Sequence, residues 1–212
     1  MNIAVDFITV GPFQENTFIL WDKESNSALL VDPGDEPGEI ISKIKRLDLD
    51  PVGIINTHAH LDHVGAVSKI KEEYSIPFYL NKNEKQILEH YPEMCRMFGI
   101  NPNKIPTVDH WISGDGEMKI DDFIITYLET PGHTPGGTTY MIDGHCFCGD
   151  SLFAGSIGRT DLPGGNFTTL MNSLEKLKDE LNHDWVIHPG HGPKTSMRYE
   201  LKHNPFLDLL NC

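Results

Sequence analysis

The stretch Thr57-His58-Ala59-His60-Leu61-Asp62-His63 brings four candidate metal ligands into six residues. In an extended segment alternate side chains point the same way, so the imidazoles of His58 and His60 can reach one ion. Asp62 and His63 fall at the start of a predicted helix and turn toward a second position. Two ions roughly 3.5–4 Å apart can share a bridging carboxylate and a bridging hydroxide. The stretch therefore predicts most of a two-metal site.

Three further polar clusters each follow an apolar run that is typical of a strand. They are Pro131-Gly132-His133, Gly149-Asp150 and Pro189-Gly190-His191. The carboxyl ends of strands gather at one rim of a sheet, where α/β proteins bind ligands, and glycine and proline suit the tight turns there. Imidazole and carboxylate groups without ligating thiolates indicate zinc, iron or manganese and disfavour a purely structural zinc site. Spacing alone does not separate His188 from His191 as the last ligand.

The composition of the 212-residue chain fits one α/β domain, and its formal charge is -14. This negative field repels phosphate backbones and anionic membrane surfaces, so we expect neither nucleic acid nor a membrane as partner. The N-terminus has no signal-peptide pattern, and no run of about 18 apolar residues predicts a membrane span. We expect a reducing, cytoplasmic location because no disulfide or zinc-ribbon spacing connects the cysteines, Cys95, Cys146, Cys148 and Cys212.

Strand and helix patterns alternate along the rest of the chain. Strands are predicted at about 3–10, 16–22, 27–32, 52–56, 77–80, 118–129, 137–142, 144–148 and 185–188. Helices are predicted at about 37–48, 62–74, 82–97 and 167–181, with a last helix from Thr195. Residues 99–108 and 150–166 are predicted to be loops. Strands followed by helices in both halves indicate a layered α/β body.

Taken together, these motifs resemble those of the metallo-β-lactamase superfamily. The resemblance rests on residues 57–63, Pro131-Gly132-His133-Thr134-Pro135-Gly136, Gly149-Asp150 and Pro189-Gly190-His191-Gly192, and it spans nearly the whole chain. It implies an α/β fold, a four-layered αββα sandwich, as a single domain over residues 1–212. The metals would lie at one edge of the two sheets.

The resemblance also implies a ligand set for two divalent ions, with zinc expected and iron or manganese as alternatives. Its members are His58, His60 and His133 for one metal, Asp62, His63 and His191 for the other, and Asp150 as the bridge. It thereby favours His191 over His188. Asp32 is implied to support the site from outside the ligand set, and a plain Asp-Pro-Gly turn is the alternative role for this residue.

Within the superfamily, three segments are similar to the glyoxalase II (hydroxyacylglutathione hydrolase) branch, and closest to its short bacterial members. They are Gly149–Phe153, Gly158–Gly165 and the terminal Asn204-Pro205-Phe206-Leu207. An aspartate at position 150 does not resemble the true β-lactamases. The resemblance implies hydrolysis of a thioester such as S-D-lactoylglutathione by a metal-bridging hydroxide, with Asp62 and Asp150 as the catalytic carboxylates.

The substrate side of the predicted site is carried by Arg159, which falls where the family places a basic residue near a thiol-peptide substrate. In so acidic a chain, a local cation would attract a substrate carboxylate. The alternative is an arginine on a surface loop. Longer glyoxalase II enzymes carry a C-terminal helical extension that supplies part of the glutathione pocket. We expect this chain to lack it, which leaves glutathione specificity open.

Other functions of the superfamily stay as alternatives. Persulfide dioxygenases are similar in the same motifs, and such an enzyme would hold one iron through His58, His133 and Asp150. A nuclease is disfavoured by the net charge and by the absence of an RNA-clamping domain. Metal stoichiometry separates the thioester hydrolase from the persulfide dioxygenase. The sequence leaves open whether the protein is a monomer or a small homo-oligomer, and whether Cys148 modulates activity.

Overall fold

The computed structural model describes residues 1–211, with side chains described through Leu209, so the prediction for Cys212 lies outside the described residues. Residues 1–112 together with 120–122 form one compact unit, and the other described residues form a second. The assignment of residues 1–212 to a single domain stays a prediction. None of the described helices is long and apolar enough to cross a membrane.

The first unit is built on a six-stranded sheet. In spatial order its strands are β1 (Ile3–Val10), β2 (Glu15–Asp22), β3 (Ser27–Val31), β4 (Asp50–Ile55), β5 (Phe78–Asn81) and β6 (His110–Ile112). The first three strands pair antiparallel, whereas β3 to β6 pair parallel. The ends of β3 and β4 are continuous buried apolar runs, as expected of parallel strands inside a sheet. Asp32 and Asn56 follow these two neighbouring strand ends directly.

Helices of the first unit bury one apolar side each. They are α1 (Pro37–Arg46), α2 (Leu61–Val64), α3 (Val67–Tyr74), α4 (Lys85–Glu89) and α5 (Tyr91–Met97), with a 3-10 turn at Lys82–Glu84. Ile40 and Ile44 of α1 and Val67 and Ile70 of α3 are fully buried at helical spacing, in the same apolar cluster as Leu30 of β3. Apolar residues at helical spacing therefore form the buried sides of α1 and α3.

The helix predicted at about 62–74 is divided into α2 and α3. Ala66 donates its backbone N–H to the carbonyl of Pro33 at 3.1 Å. Gly65 lies so close to Gly34 that a Cβ at position 65 would be 2.5 Å from the Gly34 carbonyl oxygen. This contact ties the turn after β3 to the end of α2, and it interrupts the helix.

The helix predicted at about 82–97 is interrupted at His90. Pro92 stands in the first turn of α5, where the missing backbone N–H is tolerated. It could not continue α4, because a proline ring clashes with the carbonyl four residues earlier. The apolar spacing is helical on both sides of the break, so periodicity alone did not reveal it.

The second unit is built on a five-stranded sheet. In spatial order its strands are β13 (Val186–Pro189), β10 (His145–Gly149), β9 (Thr138–Ile142), β8 (Phe123–Glu129) and β7 (Gly116–Ile120). The remaining elements are a hairpin of β11 (Leu152–Phe153) and β12 (Ser156–Ile157), α6 (Phe167–Glu180), α7 (Met197–His203) and a 3-10 turn at Leu207–Asn211. The single strand predicted at about 118–129 is two strands joined by a turn at Asp121, whose φ is 50°. The loop predicted over 150–166 contains the hairpin.

Candidate metal centre

Asp32 is the buried carboxylate at the end of β3. Its Oδ1 accepts a hydrogen bond from the backbone N–H of Thr57 at 2.7 Å, and its Oδ2 accepts one from the Thr57 hydroxyl at 2.6 Å. The same Oδ2 lies 3.0 Å from Nδ1 of His63. A carboxylate that holds Nδ1–H leaves Nε2 of the imidazole as the metal-binding atom. Asp32 adopts φ 49°, which is uncommon for a residue with a side chain, so these contacts hold an unfavourable backbone conformation.

Three buried imidazoles converge in the first unit. The ring centroid of His58 lies 4.8 Å from that of His60 and 4.0 Å from that of His63. One nitrogen each of His58 and His63 and one oxygen of Asp32 lie within 4.8 Å of one another. Imidazoles packed this closely in a buried site would repel one another if protonated, whereas neutral imidazoles suit zinc, iron or manganese. The donor set of this unit therefore fits a divalent transition metal.

The loop between β4 and α2 is fixed by two buried side chains that the sequence pattern did not single out. Asn56 donates from Nδ2 to the carbonyl of His63 at 2.7 Å. Glu84 accepts the backbone N–H of Ala59 on Oε2 at 2.8 Å. These contacts hold the backbone on both sides of His60, which stands as the extended residue just before α2. Asp62 lies in the first turn of that helix, as predicted.

Glu15 is a second buried acid behind His63. Its Oε1 lies 3.9 Å from Nδ1 of His63, and its Oε2 accepts the hydroxyl of Thr17 at 2.9 Å. Burial raises the pKa of Glu15 well above its ordinary value; His63 opposes this shift, and the negative charge of Asp32 adds to it. Glu15 was missed because a single acid at the start of an apolar strand carries no local signal.

The second unit brings His133, Asp150 and His191 together. Oδ2 of Asp150 lies 3.5 Å from Nε2 of His133 and 3.6 Å from Nε2 of His191. Two ligands bound about 2.1 Å from one tetrahedral ion stand about 3.4 Å apart, so both spacings suit coordination. Nδ1 of His133 lies 2.7 Å from the backbone carbonyl oxygen of Arg159. The carbonyl can accept a hydrogen bond from Nδ1–H, which leaves Nε2 as the metal-binding atom.

The turn before His133 requires a glycine at position 132. Its φ is +132°, and a Cβ there would lie 2.3 Å from the backbone nitrogen of Leu170 in α6. No residue with a side chain fits this approach of the turn to the helix. The turn also anchors α6, because Asn166 donates its N–H to the Gly132 carbonyl at 2.8 Å.

The Arg159 side chain is exposed and paired with Asp161. Its Nε and Nη2 donate to the two carboxylate oxygens of Asp161 at 2.7 and 2.8 Å. The hydrogen bond from Arg159 lowers the pKa of Asp161 to about 2. The guanidinium has five N–H donors, and this fork uses two of them. A substrate-binding role for Arg159 stays a prediction.

His188 occupies a different position from His191. Its ring stacks on Phe147 with centroids 4.8 Å apart, and its Nε2 lies 2.9 Å from Nδ1 of His145. Burial, together with the charges of His145 and Lys194, lowers the pKa of His188 from 6.5 to about 3.

Acid is therefore expected to destabilise the fold through His188. Below about pH 6.5 the unfolded chain binds a proton that the folded chain refuses until about pH 3, so the free energy of unfolding falls as pH drops through this window. His188→Gln should make this fall shallower, by up to about 1.4 kcal/mol per pH unit. Urea unfolding at pH 7, 6 and 5 measures the slope, with the exposed His203→Gln as control. Equal slopes in both variants would contradict the assignment.

Comparison with known proteins identifies the family. A family model described as the metallo-beta-lactamase superfamily matches residues 10–196. The chain belongs to this superfamily. The predicted α/β fold of the metallo-β-lactamase type is confirmed, and the protein is a metal-dependent hydrolase of the superfamily.

Three similar proteins cover nearly the whole of this metallo-β-lactamase superfamily member. Hydroxyacylglutathione hydrolase GloC of Haemophilus influenzae is 39% identical over 98% of this chain and 99% of its own. The crystal structure of BLEG-1 B3 metallo-beta-lactamase is 35% identical, with a TM-score of 0.90 over 96% of this chain and 99% of its own. TTHA1623 in a di-iron-bound form is 37% identical, with a TM-score of 0.86 over 95% of this chain and 100% of its own.

Proposed function

We propose that this superfamily member hydrolyses a thioester of a glutathione-type thiol, such as S-D-lactoylglutathione. The observation that carries the proposal is the full-length similarity to hydroxyacylglutathione hydrolase GloC, at 39% identity. The donor chemistry in both units supports it, because each unit gathers imidazoles and carboxylates near strand ends. The crystal structure of TTHA1623 in a di-iron-bound form supports a binuclear site that accepts iron.

The proposed ligand set is the one that the superfamily resemblance implies. It consists of His58, His60 and His133 for one ion, Asp62, His63 and His191 for the other, and Asp150 between them. When bound, the two ions supply a hydroxide nucleophile at neutral pH by lowering the pKa of water toward about 7. The carboxylate of Asp62 would orient this nucleophile as well as bind metal. The departing thiolate needs no strong acid, since a free thiol has a pKa of about 8.5.

Asp32 is proposed to act through His63, by holding Nδ1–H at 3.0 Å. Asp32→Ala is expected to weaken metal binding by about 10–100-fold, as is usual when the partner of a ligating histidine is removed. Competition with a chromogenic chelator measures the change. The matched control is Asp48→Ala, because Asp48 is exposed and also adopts a positive φ, 53°. Equal affinities in the two variants would assign Asp32 to the turn alone.

Metal analysis coupled to parallel assays tests the proposed function. The protein is purified without added metal, its metal content is measured, and turnover is assayed with S-lactoylglutathione, glutathione persulfide and a chromogenic cephalosporin. We expect two metals per chain and thioester cleavage without oxygen uptake. One iron per chain with oxygen uptake on the persulfide would replace the proposal with a dioxygenase.

A second candidate is β-lactam hydrolysis, favoured by the 35% identity to BLEG-1 B3 metallo-beta-lactamase. Cephalosporin turnover that exceeds thioester turnover would support it. The nuclease alternative is disfavoured by the net charge of -14. A cytoplasmic location and a monomeric or small homo-oligomeric state stay predictions.

A further inference from the structure

The β11–β12 hairpin lies between Asp150 and Arg159 in the chain. Its backbone closes on itself, since Gly158 donates its N–H to the carbonyl of Ser151 at 3.5 Å. A Cβ on Gly158 would lie 1.8 Å from the Asp150 carbonyl oxygen and 3.2 Å from Nδ1 of His133. Any displacement of this hairpin would therefore move the backbone of Asp150 and the Arg159 carbonyl that faces His133.

Glu200 of α7 holds the tip of the hairpin. It is fully buried, and its Oε2 accepts the backbone N–H of Gly155 at 2.8 Å. The same oxygen accepts an N–H from Asn204 at 2.9 Å, while Oε1 accepts the hydroxyl of Thr195. A carboxylate is costly to bury in a core unless it is hydrogen-bonded, and Glu200 accepts three hydrogen bonds. One comes from the hairpin, and the other two come from Thr195 and Asn204 on either side of α7.

Asn204 completes the contact with the hairpin. It is also fully buried, and its Nδ2 donates to the carbonyl of Ser156 at 3.0 Å. Its Oδ1 accepts the backbone N–H of Phe206 at 3.1 Å, which fixes the turn after α7. The terminal Asn-Pro-Phe-Leu segment is thus locked to the hairpin by a side chain whose donor and acceptor both have defined partners.

We propose that Glu200 and Asn204, here called the C-terminal clamp, are positioning residues for the metal site. By fixing the hairpin they set the backbone of Asp150 and the Arg159 carbonyl that orients His133. The inference rests on the proposed function only in taking Asp150 and His133 as ligands. It gives the Asn204-Pro205-Phe206-Leu207 segment a role that is independent of substrate contact.

Asn204→Asp tests the clamp, because it keeps the shape but replaces the Nδ2 donor with an acceptor facing the Ser156 carbonyl. We expect metal loss to a chelator about tenfold faster than in the wild type, and a lower kcat with little change in KM. Glu200→Gln is the conservative variant: its amide oxygen can accept from Gly155 and Asn204, and its amide N–H can donate to the Thr195 hydroxyl. It should retain metal as the wild type does. If Asn204→Asp does not accumulate folded, Thr195→Val is the milder variant.

Two controls separate positioning from general stability. Asn172→Asp makes the same charge change at an exposed position of α6. Ile44→Val lowers stability through the fully buried core of the first unit. Both should keep wild-type metal retention. Retention in Asn204→Asp equal to that of Ile44→Val at matched unfolding free energy would overturn the clamp. Absence of thioester cleavage in the wild type would instead count against the proposed function, since chelator kinetics need no substrate.

Discussion

Replacing Asp150 with alanine is expected to lower kcat/KM for the thioester by at least about a thousandfold, since metal-ion catalysis contributes several kcal/mol and each 1.4 kcal/mol is tenfold in rate. The carboxylate stands 3.5 and 3.6 Å from the Nε2 atoms of His133 and His191, so its loss leaves two imidazoles without their shared anion. Metal content should fall from two ions per chain to one or fewer. Steady-state kinetics and elemental analysis of the same preparation measure both effects.

The matched control for this variant is Asp179→Ala, which removes an exposed carboxylate from α6. It should retain wild-type kinetics and metal content, because it changes the net charge equally without touching the site. An Asp150→Ala protein with two metals and near-normal turnover would remove Asp150 from the proposed ligand set. The proposed bridging role would then fail, although His133 and His191 could still bind metal.

Gly158→Ala is expected to have the largest effect on folding. The new Cβ would lie 1.8 Å from the Asp150 carbonyl oxygen and 3.0 Å from its carbonyl carbon, so backbone must move rather than a flexible side chain. Overpacking of this kind costs about 1–3 kcal/mol or more. Because the displaced atoms belong to Asp150, we also expect metal to be lost under conditions where the protein is still folded. Urea unfolding and metal analysis test the two parts separately.

Gly38→Ala is the control for added volume. It lies in the first turn of α1, and apart from its chain neighbours and the backbone of its own helix no atom stands within 4 Å of the Cβ it would gain. Alanine is a better helix former than glycine, so we expect unchanged stability or a gain of up to about 1 kcal/mol. If Gly158→Ala is as stable and as metal-rich as Gly38→Ala, the close packing of the hairpin against Asp150 is not required.

The local part of the metal centre was predictable because its residues follow a strand without interruption. The apolar run Ile54-Ile55 marks a buried parallel strand, and the proposed ligands of residues 58–63 come shortly after it. His133 and Asp150 were predicted in the same way, from Pro-Gly and Gly at strand ends. In each case the chain places the side chain by local geometry, so sequence pattern alone carries the information.

The supporting contacts of Glu84 and Glu200 were not predictable, because they join residues that are far apart in sequence. Glu84 reaches Ala59 across 25 positions, and Glu200 reaches Gly155 across 45. A single glutamate in a helical pattern is normally taken for a solvated residue, and only the fold shows that both are buried. The same limit applies to the broken helices, whose interruptions arise at Gly65 and Pro92 without disturbing the apolar spacing.

The orientation of His133 depends on a backbone carbonyl and not on a side chain. Any amino acid at position 159 provides that oxygen, so the side chain there can vary through evolution without removing the contact at Nδ1. Under the proposed function, residue 159 serves two demands through different atoms: its carbonyl orients His133, and its side chain contacts the substrate. We expect relatives that keep the hairpin to exchange this side chain and accept other thiol carriers while the metal chemistry is retained.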